Sequence, residues 1–203
     1  MSNNIDIVYG YKENVYLNIT NQCPCRCTFC IRNNEDAIGD AKNLWFQKDP
    51  TLEEIYKALD EWDFTGCQEV IFCGYGEPVM ALDRLIAVSR YIREKYHLSI
   101  RVNTNGLGDL IHHRPVAREL CQAVDSISIS LNAPDAKSYQ ELVRPAYGEK
   151  SFQAMLDFAQ ECHQYLEDVR FTVVSVIGTE AIEKSKKLAD SLGIPLRVRQ
   201  YQE

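Results

Sequence analysis

No stretch of this chain approaches the roughly 18 consecutive apolar residues that a membrane-spanning helix needs, so no span is expected. The start, Met-Ser-Asn-Asn-Ile-Asp, lacks the basic and apolar segments of a signal peptide, which points to a cytoplasmic protein. Basic residues are in deficit: 22 Lys and Arg against 29 Asp and Glu leave a net charge of −7. A general nucleic-acid binder needs a basic surface, so that class is disfavoured, although a small local basic site is not. No internal repeat and no low-complexity segment is present. The four histidines, His97, His112, His113 and His163, show no metal-ligand spacing and read as surface residues.

Cysteine is abundant instead. In a reducing compartment eight cysteines read as thiols or metal ligands rather than disulfides. Four of them crowd into Cys23-Pro-Cys-Arg-Cys-Thr-Phe-Cys30, while Cys67, Cys73, Cys121 and Cys162 lie far apart and form no second motif. Cys23, Cys27 and Cys30 stand at C-x3-C-x2-C. Three thiolates so spaced can wrap a cubane iron–sulfur cluster and leave its fourth iron without a protein ligand, whereas electron-carrying clusters usually have four. Cys25 is the spare. The rival reading is a structural zinc site on all four, although zinc knots usually join two separated ligand pairs.

Around this loop, strand-like and helix-like runs alternate. Residues 5–9 and 15–20 read as a hairpin whose second arm enters the cysteine loop. Further strands are predicted at 69–74, 99–103, 126–131, 170–177 and 195–201. Helices are predicted at 51–64, to about residue 96, and at 115–123, 135–143, 151–166 and 180–192. Thr51-Leu-Glu-Glu54 is a capping box, Ser151 caps the helix it opens, and Gly193 ends the last helix. Six strands with helical connections predict a parallel α/β sheet. At about 30 residues per βα unit, six units fill the chain. The expectation is one domain over 1–203, a partial (βα)6 barrel of TIM type open on one side, with 14–30 as first strand and cluster loop. No auxiliary cluster domain is expected. A doubly wound sheet is the structural rival. Polar residues alternate with apolar ones in several strands (Asn18 and Thr20; Ser126, Ser128, Ser130 and Asn132; Arg197 and Arg199), which predicts a polar lumen, wet or ligand-filled, or else an antiparallel sheet with one face in solvent. The segment from Ile31 to Pro50 is long for a loop. In it Trp45 and Phe46 either shield the cluster or anchor the loop on the core.

Each polar motif follows a strand: the cysteine loop the first, Gly74-Tyr-Gly-Glu-Pro78 the second, Asn103-Thr-Asn-Gly106 the third and Ser130-Leu-Asn132 the fourth. In a parallel barrel these positions meet at the rim that carries active sites. With the aromatic Phe29 before its last cysteine, the loop completes C-x3-C-x-Φ-C, which resembles the radical S-adenosylmethionine (SAM) superfamily. Gly74-Tyr-Gly-Glu-Pro78 resembles that superfamily's Gly-Gly-Glu-Pro signature with Tyr75 inserted. The resemblance implies a [4Fe-4S] cluster on Cys23, Cys27 and Cys30. It implies SAM contacts from Gly74, Gly76 and Glu77 to the methionine amine and from Phe29 beside adenine. Asn103, Asn105, Ser130 and Asn132 are candidates for ribose or carboxylate contacts, of which the resemblance best supports Ser130 and Asn132, and Asn105-Gly106 also reads as a plain turn. Arg144 is a candidate carboxylate holder, and Arg197 and Arg199 are candidate substrate or cofactor anchors.

Within the superfamily, Tyr16-Leu-Asn-Ile-Thr-Asn-Gln-Cys23, Cys30-Ile-Arg32, Leu131-Asn-Ala-Pro134 and Val143-Arg-Pro145 look like the TatD-associated radical SAM proteins. That subgroup implies a functional link to a TatD-type metal-dependent nuclease. The implied activity is reductive cleavage of SAM to a 5′-deoxyadenosyl radical that abstracts hydrogen from an unidentified substrate, with flavodoxin or ferredoxin as reductant. A macromolecular substrate or partner protein would close the open barrel. The enzymatic alternatives are a glycyl-radical-enzyme activase and an enzyme resembling 7-carboxy-7-deazaguanine synthase. The non-enzymatic one is a zinc-binding interaction module built on the four clustered cysteines.

Overall fold

The computed structural model describes residues 6–33 and 37–201. The first five residues, on which most of the signal-peptide expectation rested and which include the start of the first strand run, lie outside the described residues. Two compact units emerge. The first comprises residues 1–23, 31–103 and 123–125, and the second 24–30, 104–122 and 126–203.

The first unit opens with β1 (Val8–Tyr11) and β2 (Asn14–Leu17), antiparallel as the hairpin reading predicts. β3 (Glu69–Phe72) and β4 (Ser99–Thr104) follow in parallel, β2 beside β3 and β3 beside β4. Between β2 and β3 lies α1 (Leu52–Asp60), which starts where its capping box dictates: Thr51 Oγ1 accepts from Glu54 N–H and the Glu54 carboxylate accepts from Thr51 N–H. A 3-10 turn, Pro78–Ala81, leads into α2 (Leu82–Tyr96). Leu17, Phe72 and Val102 form one registered, solvent-free row across β2, β3 and β4. Burying such a side chain contributes roughly 1.5–3 kcal/mol.

The second unit holds β5 (Ser126–Ser130), β6 (Val169–Val174) and β7 (Leu196–Arg199), all parallel. Its helices are α3 (Gly108–His112), α4 (Ala117–Ala123), α5 (Ala136–Val143), α6 (Lys150–Tyr165) and α7 (Thr179–Ser191). Gly193 takes the left-handed conformation (φ 68°) just beyond α7, as expected. In neither unit does the strand order reverse, as it would at the switch point of a doubly wound sheet.

Three expectations need correction. Ser151 does not cap α6: the helix begins a residue earlier, and Ser151 lies inside it, fully buried, with no partner for its hydroxyl. The short α3 was not foreseen, because five residues beginning at a glycine carry no period to read. The polar strand residues do not share one environment: Asn18, Thr20, Ser126, Ser128 and Asn132 are buried, whereas Arg197 and Arg199 on β7 are exposed.

Candidate functional site

In the first unit the approach to Cys23 is held by side chains. Asn18, 1% exposed, donates from Nδ2 to the Leu44 carbonyl (2.7 Å) and accepts at Oδ1 from Tyr75 N–H (3.2 Å). It thus ties the end of the first barrel strand to both the 44 loop and the 74–78 loop. Asp49 fixes the next residues, accepting from Thr20 Oγ1 (2.7 Å), Asn21 N–H (3.3 Å) and Gln22 Nε2 (3.3 Å). Arg84 stands 3.6 Å from Asp49 and donates to the Ile19 carbonyl (2.6 Å). Arg32 donates to the carbonyls of Asn21 and Tyr75.

The Gly-Tyr-Gly-Glu-Pro loop lies directly against this segment, with Glu77 N–H donating to the Gln22 carbonyl at 2.8 Å. A Cβ on Gly76 would stand 2.2 Å from the Thr20 carbonyl oxygen. The close approach that glycine permits here is therefore to the strand preceding Cys23. Gly74 is confined likewise, since a Cβ there would meet Asn18 Oδ1 at 2.1 Å. The Glu77 carboxylate is buried and accepts from Val79 N–H (3.1 Å), capping the following turn. Tyr75 packs with Tyr9 and Leu44, and Trp45 meets it edge-on at 4.9 Å. Of the two readings of Trp45, the structure shows loop anchoring. Asn103 is half-buried near the end of β4.

Tyr16 and Tyr9 stack at 5.5 Å. Burial, and next the Cys73 thiol, push the Tyr16 phenol up to about 12, so it stays protonated throughout the physiological range.

In the second unit residues 24–30 lie along the end of α5. Arg26 N–H donates to the Val143 carbonyl (3.1 Å), Thr28 N–H to the Leu142 carbonyl (2.9 Å), and Ala146 N–H to the Pro24 carbonyl (2.8 Å). Arg144 follows at once, in the left-handed conformation (φ 49°), with an exposed side chain whose Nε donates to the Glu141 carbonyl. Cys25 is turned inward, 3% exposed, and Asn105 Nδ2 lies 3.6 Å from its sulfur. Cys27, Phe29 and Cys30 are half-buried, as is Cys23 in the first unit. Asn105 is absorbed by structure, its Oδ1 accepting from Leu107 N–H at the turn. Ser130 ends β5, half-buried. Asn132, two residues on, is 4% exposed in the left-handed conformation (φ 56°), and its Oδ1 has no hydrogen-bond partner.

None of the eight cysteines is in a disulfide. Among the described residues no three His, Cys, Asp or Glu side chains gather closely enough to hold a single metal ion. A cubane makes a different demand, because each thiolate binds a different iron and the sulfurs stand farther apart than around one ion. Three half-buried thiols of one loop, with the fourth buried, fit the donor set that such a cluster uses, and an unsatisfied buried amide oxygen on Asn132 fits a polar ligand at the end of β5.

The residues the sequence did not single out are Asn18 as a clamp, Asp49, Arg32 and Arg84. Asn18 left a signal as one of the polar residues alternating in its strand, and Arg32 as the end of the Cys30-Ile-Arg32 motif; Asp49 and Arg84 left none.

The sequence pattern of the Radical SAM superfamily matches residues 17–192. Among curated proteins, the chain is 26% identical over 166 residues to a probable GTP 3′,8-cyclase of Thermococcus kodakarensis, covering 81% of this chain and 48% of that protein. It is 27% identical over 187 residues to a dual-specificity RNA methyltransferase RlmN of Halorhodospira halophila, covering 87% and 48%. The chain thus spans about half the length of these curated relatives. Among solved structures, a radical SAM methyltransferase from Sphaerobacter thermophilus is similar with a TM-score of 0.65 at 15% identity, covering 95% of this chain and 68% of that one. HydG, a maturase of the [FeFe]-hydrogenase, gives 0.59 at 16% identity, covering 93% and 42%. These likenesses carry the fold: α/β, with the open, partial barrel expected from the strand count.

Proposed function

The chain belongs to the radical SAM superfamily, and from that premise we propose that it binds a [4Fe-4S] cluster through Cys23, Cys27 and Cys30 and cleaves SAM reductively to act on a substrate by hydrogen abstraction. The observation that supports this reading is the burial of Cys25, which sets it apart from the three half-buried cysteines of the loop. Held by Cys23, Cys27 and Cys30, a reduced cluster would supply one-electron chemistry to the sulfonium of SAM, and the protein would supply orientation and shielding.

The chain's own residues have separable tasks. The Asn18 and Asp49 hydrogen bonds hold the strand before Cys23 in place. Gly76 lets the 74–78 loop lie on that strand and presents the backbone around Glu77 as acceptors for the methionine ammonium. Asn132 Oδ1 lacks a partner and suits a ribose hydroxyl, with Ser130 beside it. Phe29 offers an aromatic face to adenine, and Arg144 a guanidinium to a carboxylate. The likeness of Tyr16–Cys23, Cys30–Arg32, Leu131–Pro134 and Val143–Pro145 to the TatD-associated radical SAM proteins supports that subgroup, and the superfamily's chemistry calls for a reductant such as flavodoxin or ferredoxin.

Anaerobic reconstitution tests the reading. The expected result is about four irons per chain, broad absorbance near roughly 400 nm, and SAM cleavage after reduction. Cys27→Ala should lose the cluster and the cleavage, while Cys25→Ala should retain both. One colourless zinc per chain, with Cys25→Ala abolishing binding, would establish the four-cysteine interaction module instead.

A further inference from the structure

We infer that β7 carries an anchor for a phosphate or diphosphate group of a small substrate, formed by Arg197 and Arg199. The inference rests on reading the strand ends of the second unit as the substrate side of a radical SAM site.

Arg197 pairs in register with Thr172, and Thr172 with Ser130, so the three side chains occupy one row on one face of the β5–β6–β7 sheet. Two strand spacings separate Ser130 from Arg197, roughly 10 Å. Arg199 lies on the same face, roughly 7 Å farther along the strand, at the carboxyl end where α/β sheets take ligands. On β6 both faces are buried, Thr172 on this one and Phe171 and Val173 on the other, so the exposure belongs to β7, where Val198 on the opposite face is exposed as well.

Several cations of this acidic chain are paired, although others among the described residues, such as Lys186 and Lys187 on α7, are not. Arg101 pairs with Glu69, Arg170 with Asp168, Arg93 with Asp125 and Lys184 with Glu180. Among the described residues, the side chains of Arg197 and Arg199 have no hydrogen bond or ion pair, and both residues are exposed. Two guanidinium forks on one face suit a group with several anionic oxygens, since each fork takes two oxygens at once. The net charge of −7 opposes a long polyanion, so the ligand is a small phosphorylated molecule rather than a nucleic-acid strand.

Inorganic pyrophosphate is the probe, titrated into anaerobically reconstituted protein at low salt by calorimetry. The wild type should bind it, and Arg197→Gln/Arg199→Gln should weaken binding at least tenfold with an unchanged thermal midpoint. Lys186→Gln/Lys187→Gln, which removes the same charge from exposed positions on α7, should bind like the wild type. Equal binding by the arginine variant, equal loss in the lysine variant, or binding of a short RNA strand but not of pyrophosphate would each overturn the anchor. SAM cleavage measured on the same preparation keeps the two readings apart. Cleavage without pyrophosphate binding sinks the anchor alone, whereas binding without cleavage sinks the reading of the site on which the anchor depends.

Discussion

The two ends of the cysteine loop are held by different means. Upstream of Cys23, in the first unit, the chain is fixed by side chains: Asn18 to Leu44 and Tyr75, Asp49 to residues 20–22, Arg32 to Asn21 and Tyr75. Downstream, in the second unit, residues 24–28 are fixed by main-chain bonds to Leu142, Val143 and Ala146, with only Cys25 buried. A side-chain clamp can be removed by one substitution, and a main-chain ladder cannot. The first end should therefore be fragile to mutation and the second tolerant, although both flank the same cysteine loop.

The largest effect on stability should come from Asn18→Ala. It strands the Leu44 carbonyl and the Tyr75 N–H, both bonded to Asn18 in a buried setting, at a cost of about 3 kcal/mol. Urea unfolding would show it as a lower midpoint, and iron content after reconstitution should fall with it. The matching substitutions downstream, Arg26→Ala and Thr28→Ala, leave both main-chain bonds intact at exposed positions and should change stability by less than about 0.5 kcal/mol. Equal losses on the two sides would erase the contrast.

Gly76→Ala comes next, at about 2 kcal/mol, because its Cβ would meet the rigid Thr20 and Gln22 carbonyls rather than a movable side chain. Gly74→Ala differs in kind, since its obstacle is the Asn18 side chain itself. A double-mutant cycle separates the two: Gly74→Ala should cost less in the Asn18→Ala background than alone, while Gly76→Ala should show no such relief. An additive Gly74 and Asn18 pair would mean that the loop is not seated on Asn18.

These contacts mark where the sequence was legible and where it was not. The α1 capping box, the β1–β2 hairpin and the glycine after α7 were readable because each is a local rule, satisfied within a few residues. The loop's three-plus-one cysteine pattern was readable as spacing, and the burial of Cys25 agrees with it. The partners of Asn18 and Asp49 were not readable, because they lie 26 to 57 residues away for Asn18 and 27 to 29 for Asp49. The seating of residues 24–28 on α5 leaves no trace in residue types at all, since main-chain groups are the same in every residue. The alternation on β7 correctly placed Arg197 and Arg199 on the face of Ser130, but could not say that this face is exposed there.

The smallest effect tests whether side-chain clamps matter away from the loop. On the outer helices of the first unit, Asp60 at the end of α1 accepts from Lys95 Nζ (2.6 Å), Tyr91 Oη (2.6 Å) and Tyr96 Oη (2.5 Å), all on α2. Those donors hold its carboxyl down at about 2, below the ordinary 3.8. A depressed folded value stabilises the folded state above the unfolded pKa, and the benefit fades as pH falls from about 4 towards 2. Because the group is exposed and screened by solvent, the effect should be a slight drop in melting temperature over that window. Asp60→Asn should remove that pH dependence and lower the midpoint a little at neutral pH. Its iron content should equal the wild type's, in contrast to the Asn18 variant. A loss of iron in Asp60→Asn would show that the α1–α2 surface and the approach to Cys23 are coupled, and that the fragility of the first unit is not confined to the clamps beside the loop.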